Sequence, residues 1–373
     1  MPPKYKYEHV KEVLRKRIRG YPLGSKIPST TKLRKEFGVS PQTINRAMSD
    51  LVDEGILERR PRRGTFVSRP GRSTRNLGFI WPAAMERLTK HPSAGTILRG
   101  VQAEAGARNR NLLVASNTDS SHLPFVEAEA NHIAGVLILF NYDRHLVQGY
   151  IERGIPVVLI VPLVRAEGVP FVTSDHYLGT YGATMHLVKL GHRRIVHVTL
   201  DIANCIPVEE KIRGYNAAMH EAGLQETVYV YRGRAEPWNE ADDAAFVTML
   251  RNIEPTACCC FDDEVAAGIT RICHERRIRV PDELSIVGYD DSSIVSHTWP
   301  RMTTVHVPLE EMGRKGVQML DELIVEERLT GHGIVLPARL VERSSAKPLS
   351  PGRSQTMRAE KVSASRVVED VVS

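Results

Sequence analysis

Gln42, Asn45, Arg46 and Ser49 recur at helical spacing and bring amide, guanidinium and hydroxyl groups to one side of the chain. Such groups read base edges: in the major groove of DNA an amide pairs with adenine and a guanidinium with guanine. Further on, Arg60-Pro61-Arg62-Arg63-Gly64 concentrates three arginines in one turn, which suits phosphate contact or minor-groove insertion. The rest of the chain carries a different chemistry. Carboxylates occur in adjacent pairs, Asp262-Asp263 and Asp290-Asp291, and aromatic residues such as Trp81 and Tyr142 lie just beyond apolar runs. Aromatic faces stack on the apolar faces of a sugar, and carboxylates accept hydrogen bonds from its hydroxyls. Adjacent carboxylates do not fix two carboxyls across a scissile bond, so they do not read as a glycosidase pair. Cys258-Cys259-Cys260 cannot converge on one metal if it lies in a strand, where neighbouring side chains point to opposite faces. These cysteines, with Cys273, read as buried core thiols. His186 and His192 flank Gly191 without metal-ligand spacing. No Ser-His-Asp set, phosphate-binding glycine loop or lysine-cofactor motif is present, so neither enzyme activity nor a cofactor or metal is expected.

The DNA-reading groups need a helix and a hairpin to hold them. Ser40 suits the cap of that helix, Pro41 its first position, and Gly55 its end. Ile44, Ala47, Met48 and Leu51 form its apolar face. A shorter helix, capped by Ser29 or Thr30, runs through Glu36, and Gly38 supplies the turn between the two. Ile56–Arg59 and Thr65–Val67 read as two short strands around the basic turn. The candidate DNA contacts are Ser40, Gln42, Thr43, Asn45, Arg46, Arg60, Arg62, Arg63 and Gly64.

Charge agrees with this division. The 373 residues hold 50 Lys+Arg against 44 Asp+Glu, but residues 1–75 hold 19 against 7, a local net of +12 on an otherwise acidic chain. A concentrated positive end is the footprint of nucleic-acid binding. No apolar run approaches the ~18 residues of a membrane span, and the charged N-terminus has no apolar signal core. The expectation is a cytoplasmic protein with reduced thiols and no membrane partner.

Pro70–Arg75 reads as a linker, which places a head at residues 1–69 and a larger domain at 76–343. In the larger domain, short apolar runs at Leu77–Ile80, Leu112–Ala115, Gly135–Phe140, Val157–Val161, Ile195–Thr199, Ala257–Phe261 and Leu284–Tyr289 alternate with helical stretches. This is the pattern of an α/β fold with buried parallel strands. Residues 344–373 are rich in Ser, Pro and charge and read as a disordered tail. Ligands of open parallel sheets bind at the carboxyl ends of strands, which directs attention to Trp81, Tyr142 and the aspartate pairs.

Two resemblances are carried by specific residues. Gly24-Ser25-Lys26-Ile27-Pro28-Ser29, Phe37-Gly38-Val39-Ser40, Thr43-Ile44, Gly55-Ile56 and Gly64-Thr65-Phe66 resemble the GntR family of winged helix-turn-helix repressors. Pro41 and Asn45 stand where that family often has arginine. The run from His186 to Ile195, Gly214-Tyr215-Asn216-Ala217-Ala218, the run from Arg279 to Asp291, and Thr303-Thr304-Val305 resemble the LacI/GalR effector-binding domain, which shares its fold with periplasmic sugar-binding proteins. The combination is similar to AraR-type repressors of carbohydrate genes. The resemblance implies two lobes joined by three chain crossings, and a ligand-responsive transcription repressor. It would bind a palindromic double-stranded operator as a homodimer and be released or modulated by a small carbohydrate-like effector. It also implies effector contacts at Asp263, Asp290 and Trp238. Lys211 stands where the family has its effector-binding arginine, with Arg213 displaced beside it. With the strand-end residues, the effector candidates are Trp81, Tyr142, Asp175, Lys211, Arg213, Trp238, Asp263 and Asp290. The Lys211 departure leaves open a DNA-binding regulator whose sensor no longer takes an effector. The helix at Leu309–Glu327 offers Met312, Met319 and Leu323 either to a dimer contact or to ordinary packing.

Overall fold

Each apolar residue of the expected reading helix, Ile44, Ala47, Met48 and Leu51, is at most 1% exposed. The computed structural model describes residues 3–18, 21, 24–53, 55–60, 63–67, 75–81, 92–116, 123–126, 133–141, 143–231, 240–326 and 332–349. The head begins with α1 (Pro3–Ile18), α2 (Thr30–Phe37) and α3 (Pro41–Asp53). An antiparallel hairpin follows, β1 (Leu57–Arg60) and β2 (Gly64–Val67). Ser29 caps α2 by accepting from the Lys32 amide, and Gly38 ends it in the left-handed region at φ 60°. The Ser40 hydroxyl accepts from the Thr43 amide at the start of α3. The head has its own core, in which Val10, Leu14 and Ile18 of α1 meet Ile27, Leu33, the buried face of α3, Leu57 and Val67. Each such side chain contributes on the order of 1.5–3 kcal/mol of burial. Helix α1 is additional to the expected elements, and the four-residue spacing of Val10, Leu14 and Ile18 marks it.

The remaining chain forms two six-stranded sheets. The first has the order β13-β7-β6-β5-β3-β4 and is parallel throughout. Its strands are β3 (Asn76–Trp81), β4 (Asn111–Ser116), β5 (Gly135–Leu139), β6 (Val157–Ile160), β7 (Phe171–Ser174) and β13 (Gly333–Leu336). Helices α4 (Pro92–Ala107) and α5 (Arg144–Glu152) connect them, and α10 (Leu309–Glu326) leads into β13. The second sheet has the order β14-β12-β11-β10-β8-β9, parallel except for the antiparallel edge β14. It contains β8 (Ile195–Leu200), β9 (Val228–Tyr231), β10 (Ala257–Cys260), β11 (Ser285–Asp290), β12 (Thr303–His306) and β14 (Arg339–Val341). Helices α6 (His176–Lys189), α7 (Ile206–Glu221), α8 (Glu240–Ile253) and α9 (Asp263–Glu275) belong with it. The seven strands expected from the sequence are present. The short β7, β9, β12, β13 and β14 were not anticipated.

The contacts divide the chain into two compact units. One takes the residues up to Asp175, with Asn204–Pro207 and Pro308–Pro337; the other takes His176–Ala203, Val208–Val307 and the chain from Ala338. The chain thus passes between the units at Asp175–His176, Val307–Pro308 and Pro337–Ala338, with Asn204–Pro207 as a short return. In α10, Met312 and Leu323 are buried within the first unit. A Cβ on Gly100 of α4 would lie 2.0 Å from Glu310 O, and one on Gly313 would lie 2.2 Å from Ile97 O. This face of α10 therefore packs closely on its own lobe.

The expected tail boundary at Ser344 needs correction. Ser345 is fully buried; its hydroxyl donates to Ile286 O and accepts from the Thr303 amide. Leu349 N donates to Leu190 O. Ser344–Leu349 thus runs along the second unit, because small polar side chains satisfy backbone groups at the sheet margin that composition alone does not reveal. Residues 350–373 lie outside the described residues, as do residues 68–74, which include most of the expected linker.

Candidate nucleic-acid interface and effector site

Gln42, Asn45 and Arg46 are exposed on the side of α3 opposite its buried face, so the structure brings the three expected base readers together. The Arg46 guanidinium lies 4.7 Å from the ring centroid of Tyr7 on α1. Ser40 and Thr43 are joined at the helix start, with hydroxyls 2.8 Å apart. Arg59 of β1 donates to the Ser49 hydroxyl at 2.9 Å, fixing the hairpin to α3. Arg60 is folded back on the hairpin: it pairs with Glu58 at 3.2 Å and stacks over Phe66 at 4.8 Å. Arg63 is exposed at the turn, and Gly64 has φ 115°. A Cβ on Gly64 would come within 2.7 Å of the Lys26 side chain, which therefore runs beneath the turn. Lys26 precedes α2 and is thus a basic residue beside the hairpin that the spacing of the turn itself does not reveal, although it lies in the Gly24–Ser29 motif. Arg62 lies outside the described residues.

In the second unit the strand ends carry a buried cation. Lys211 of α7 is 3% exposed. Its ammonium donates to Phe261 O and lies 4.0 Å from the Phe261 ring and 3.6 Å from the Tyr289 ring. Burial lowers its pKa, opposed by the carboxylates of Asp290, Asp262 and Asp263. Asp262 caps α9 by accepting from the Val265 amide at 2.7 Å. Asp290 ends β11 at φ 101° and Asp291 follows at φ 55°, both in the left-handed region where non-glycine residues are strained. Asp291 is held by Arg343 at 2.6 Å and His306 at 3.0 Å.

Two expected effector contacts are engaged with other partners in this structure. Asp263 is 2% exposed; its two oxygens accept from the Ser292 amide at 2.7 Å and the Thr304 hydroxyl at 2.6 Å. It braces α9, β12 and the segment after β11. Burial, helped by the nearby Asp290 carboxylate, pushes its carboxyl up to about 7. Arg213 does not join Lys211. It lies on the outer side of α7, paired with Glu210 at 2.6 Å and over the Tyr177 ring at 5.6 Å, because residues two apart on a helix face different directions.

In the first unit, Trp81 ends β3, buried and edge-on to Phe140 with ring centroids 5.8 Å apart. Asn141, just beyond β5, is fully buried, and its amide nitrogen has no hydrogen-bond partner among the described residues. A buried unpaired donor at a strand end is the kind of group a ligand satisfies. Asn141 is not among the residues expected from sequence, where its neighbour Tyr142 stands out. Asp175 lies at the crossing after β7, where its amide donates to Leu336 O. Tyr142 and Trp238 lie outside the described residues.

All five cysteines are buried free thiols. Cys258 and Cys260 face the core shared with α8 and α9, as strand alternation requires. Among the described residues no cluster of three or more His, Cys, Asp or Glu side chains could hold a metal, and no helix is long and apolar enough to cross a membrane.

Two histidines behind the strand ends predict a pH effect. Burial, then the Lys211 charge, pushes His176 down to about 3. Burial pushes His197, whose ring nitrogen lies 3.0 Å from Cys259 O, down to about 4. Unfolding restores values near 6.5, so below that pH the unfolded chain takes up protons that the folded chain refuses. This contribution to stability is complete above about pH 6.5 and declines toward pH 4. Denaturant melts should therefore show wild type losing stability relative to His197→Asn between pH 7 and pH 5, which appears as a different slope of stability with pH. An unchanged slope would remove His197 from this role.

The comparisons with known proteins agree with the two-part architecture. Residues 6–67 match the model of bacterial regulatory proteins, gntR family, and residues 184–346 match the periplasmic binding protein-like domain. The chain is 27% identical over 347 residues to the arabinose metabolism transcriptional repressor of Geobacillus stearothermophilus, covering 87% of this chain and 92% of that protein. It is 30% identical over 316 residues to the HTH-type transcriptional regulator CelR of Thermobifida fusca, covering 82% and 90%. A solved structure of a transcriptional regulator CelR–cellobiose complex superposes with a TM-score of 0.64 at 26% identity, covering 83% of this chain and 92% of that one.

Proposed function

We propose that this chain, which belongs to the bacterial transcription regulators that join a gntR-type DNA-binding head to a periplasmic binding protein-like domain, represses carbohydrate-utilisation genes by binding a palindromic operator as a dimer, and that a small carbohydrate alters that binding. The observation that carries this reading is the exposed row Gln42, Asn45 and Arg46 on a helix whose opposite face is buried, in one chain with strand-end polar and aromatic groups. The named relatives act in arabinose metabolism or were solved with cellobiose, which supports a sugar as effector. In this reading Asp290, at the end of β11, meets the sugar. Such a response requires the effector to favour one conformation over the other. A palindromic operator matches the two-fold symmetry of a dimer. A DNA-binding repressor works in the cytoplasm.

Two results test the DNA end. Arg46→Ala should weaken operator binding by about 1–3 kcal/mol if its fork reads a base; unchanged affinity in a gel-shift titration rejects that role. Arg63→Ala should reduce the salt slope of binding by about 1 if the turn meets phosphate. An unaltered slope places Arg63 off the backbone.

A second reading is favoured by the burial of Lys211, whose ammonium at the strand ends is already engaged by Phe261 O and by the Phe261 and Tyr289 rings. In it, the chain binds DNA without responding to a sugar. A screen of pentoses, hexoses, disaccharides, sugar acids and sugar phosphates for thermal stabilisation separates the two: at least one neutral sugar raises the melting temperature in the first reading, and none does in the second.

A further inference from the structure

We propose that Tyr7 is a positioning residue for sequence readout, holding the Arg46 guanidinium over its ring so that the arginine meets the duplex already ordered. The inference rests on Arg46 acting as a base reader. Its structural grounds are independent of that role. Tyr7 lies on α1, outside the helix-turn-helix pair, and α1 packs on α3. The Tyr7 ring is partly buried against the head core and so has a fixed backing. The Arg46 guanidinium stands 4.7 Å from its centroid, within cation–π range.

The geometry leaves the arginine competent to read. A guanidinium stacked on a ring engages its flat face, while its N–H donors lie in its plane and project from its edges. A fork that meets the ring through its face keeps the donors that guanine O6 and N7 accept. A free arginine has a large rotamer entropy to lose on binding, and ordering it beforehand reduces that loss. Gln42 and Asn45 are exposed beside it on α3, and it is Arg46 that meets the aromatic ring of α1. Tyr7 carries no charge at neutral pH, so its effect should appear in discrimination and leave phosphate attraction unchanged.

The test uses the full chain with a duplex selected from a randomised library by the wild-type protein, and a scrambled duplex of equal length. Tyr7→Leu keeps apolar packing and removes the ring; Tyr7→Phe keeps both. Tyr7→Leu should weaken binding to the selected duplex by about two- to fivefold, the size of an exposed cation–π contact. Binding to the scrambled duplex and the salt slope should not change, and Tyr7→Phe should behave like wild type. In an Arg46→Ala background, Tyr7→Leu should have no further effect on the selected duplex. Tighter binding by Tyr7→Leu would mean that the ring restrains Arg46 from the DNA, and equal losses on both duplexes would mean a structural role; either overturns the proposal. If Arg46→Ala weakens binding and Tyr7→Leu does not, the positioning inference fails alone. If Arg46→Ala has no effect, the base-reading role fails and this inference falls with it.

Discussion

Asp263→Ala is expected to destabilise the second unit by about 2–4 kcal/mol, seen as an earlier urea midpoint for the transition of that unit. The carboxylate accepts from the Ser292 amide and the Thr304 hydroxyl, both in buried surroundings, and alanine would leave both donors unsatisfied. Asp263→Asn should be much milder. The new side-chain oxygen accepts from the Ser292 amide, and the new amide donates to the Thr304 oxygen, whose hydroxyl can turn. The pair of variants also gives a pH signature. The Asp263 carboxyl is raised to about 7, so between about pH 4 and 7 the folded chain keeps a proton that the unfolded chain releases. Its contribution to stability therefore falls as pH rises through that window. A side-chain amide does not titrate, so Asp263→Asn should gain on wild type from about pH 4 to about pH 7. A constant difference would show that the carboxyl is not raised, and an Ala variant as stable as wild type would remove its bracing role.

Asp290→Asn should raise the effector concentration needed for half response by about ten- to hundredfold, the value of a hydrogen bond to a charged group. Asparagine tolerates left-handed backbone better than most residues, so the φ of 101° at this position is retained at small cost. Operator affinity in the absence of sugar should stay at the wild-type value. A normal response curve would mean that Asp290 acts on Lys211 and not on the ligand. Loss of DNA binding without sugar would mean that the substitution disturbs the fold.

The division into a basic reader and an α/β sensor was legible because periodicity and charge are local signals. The buried and exposed faces of α3 follow from residue spacing alone, and the buried strands from short apolar runs. What sequence could not supply was direction. Asp262 and Asp263 are neighbours at a strand-to-helix turn, yet one caps α9 and the other turns inward to β12. That choice depends on backbone angles set by the surrounding packing. Arg213 is different: its separation from Lys211 by two helical positions already placed it on another face. Ser345 misled for a third reason, since a polar composition resembles a tail until its hydroxyl finds buried backbone partners. Asn141 was hidden because an amide beside an aromatic residue has no pattern of its own.

In the proposed function, sugar binding and operator binding are coupled within one chain. This coupling is tested most directly by fluorescence anisotropy of the full chain on its selected operator duplex, titrated with a panel of neutral sugars, sugar acids and sugar phosphates at fixed salt. At least one neutral sugar is expected to shift the DNA-binding midpoint by about fivefold or more, within the usual ~1–3 kcal/mol of allosteric coupling. Normal operator binding that no sugar alters would contradict it.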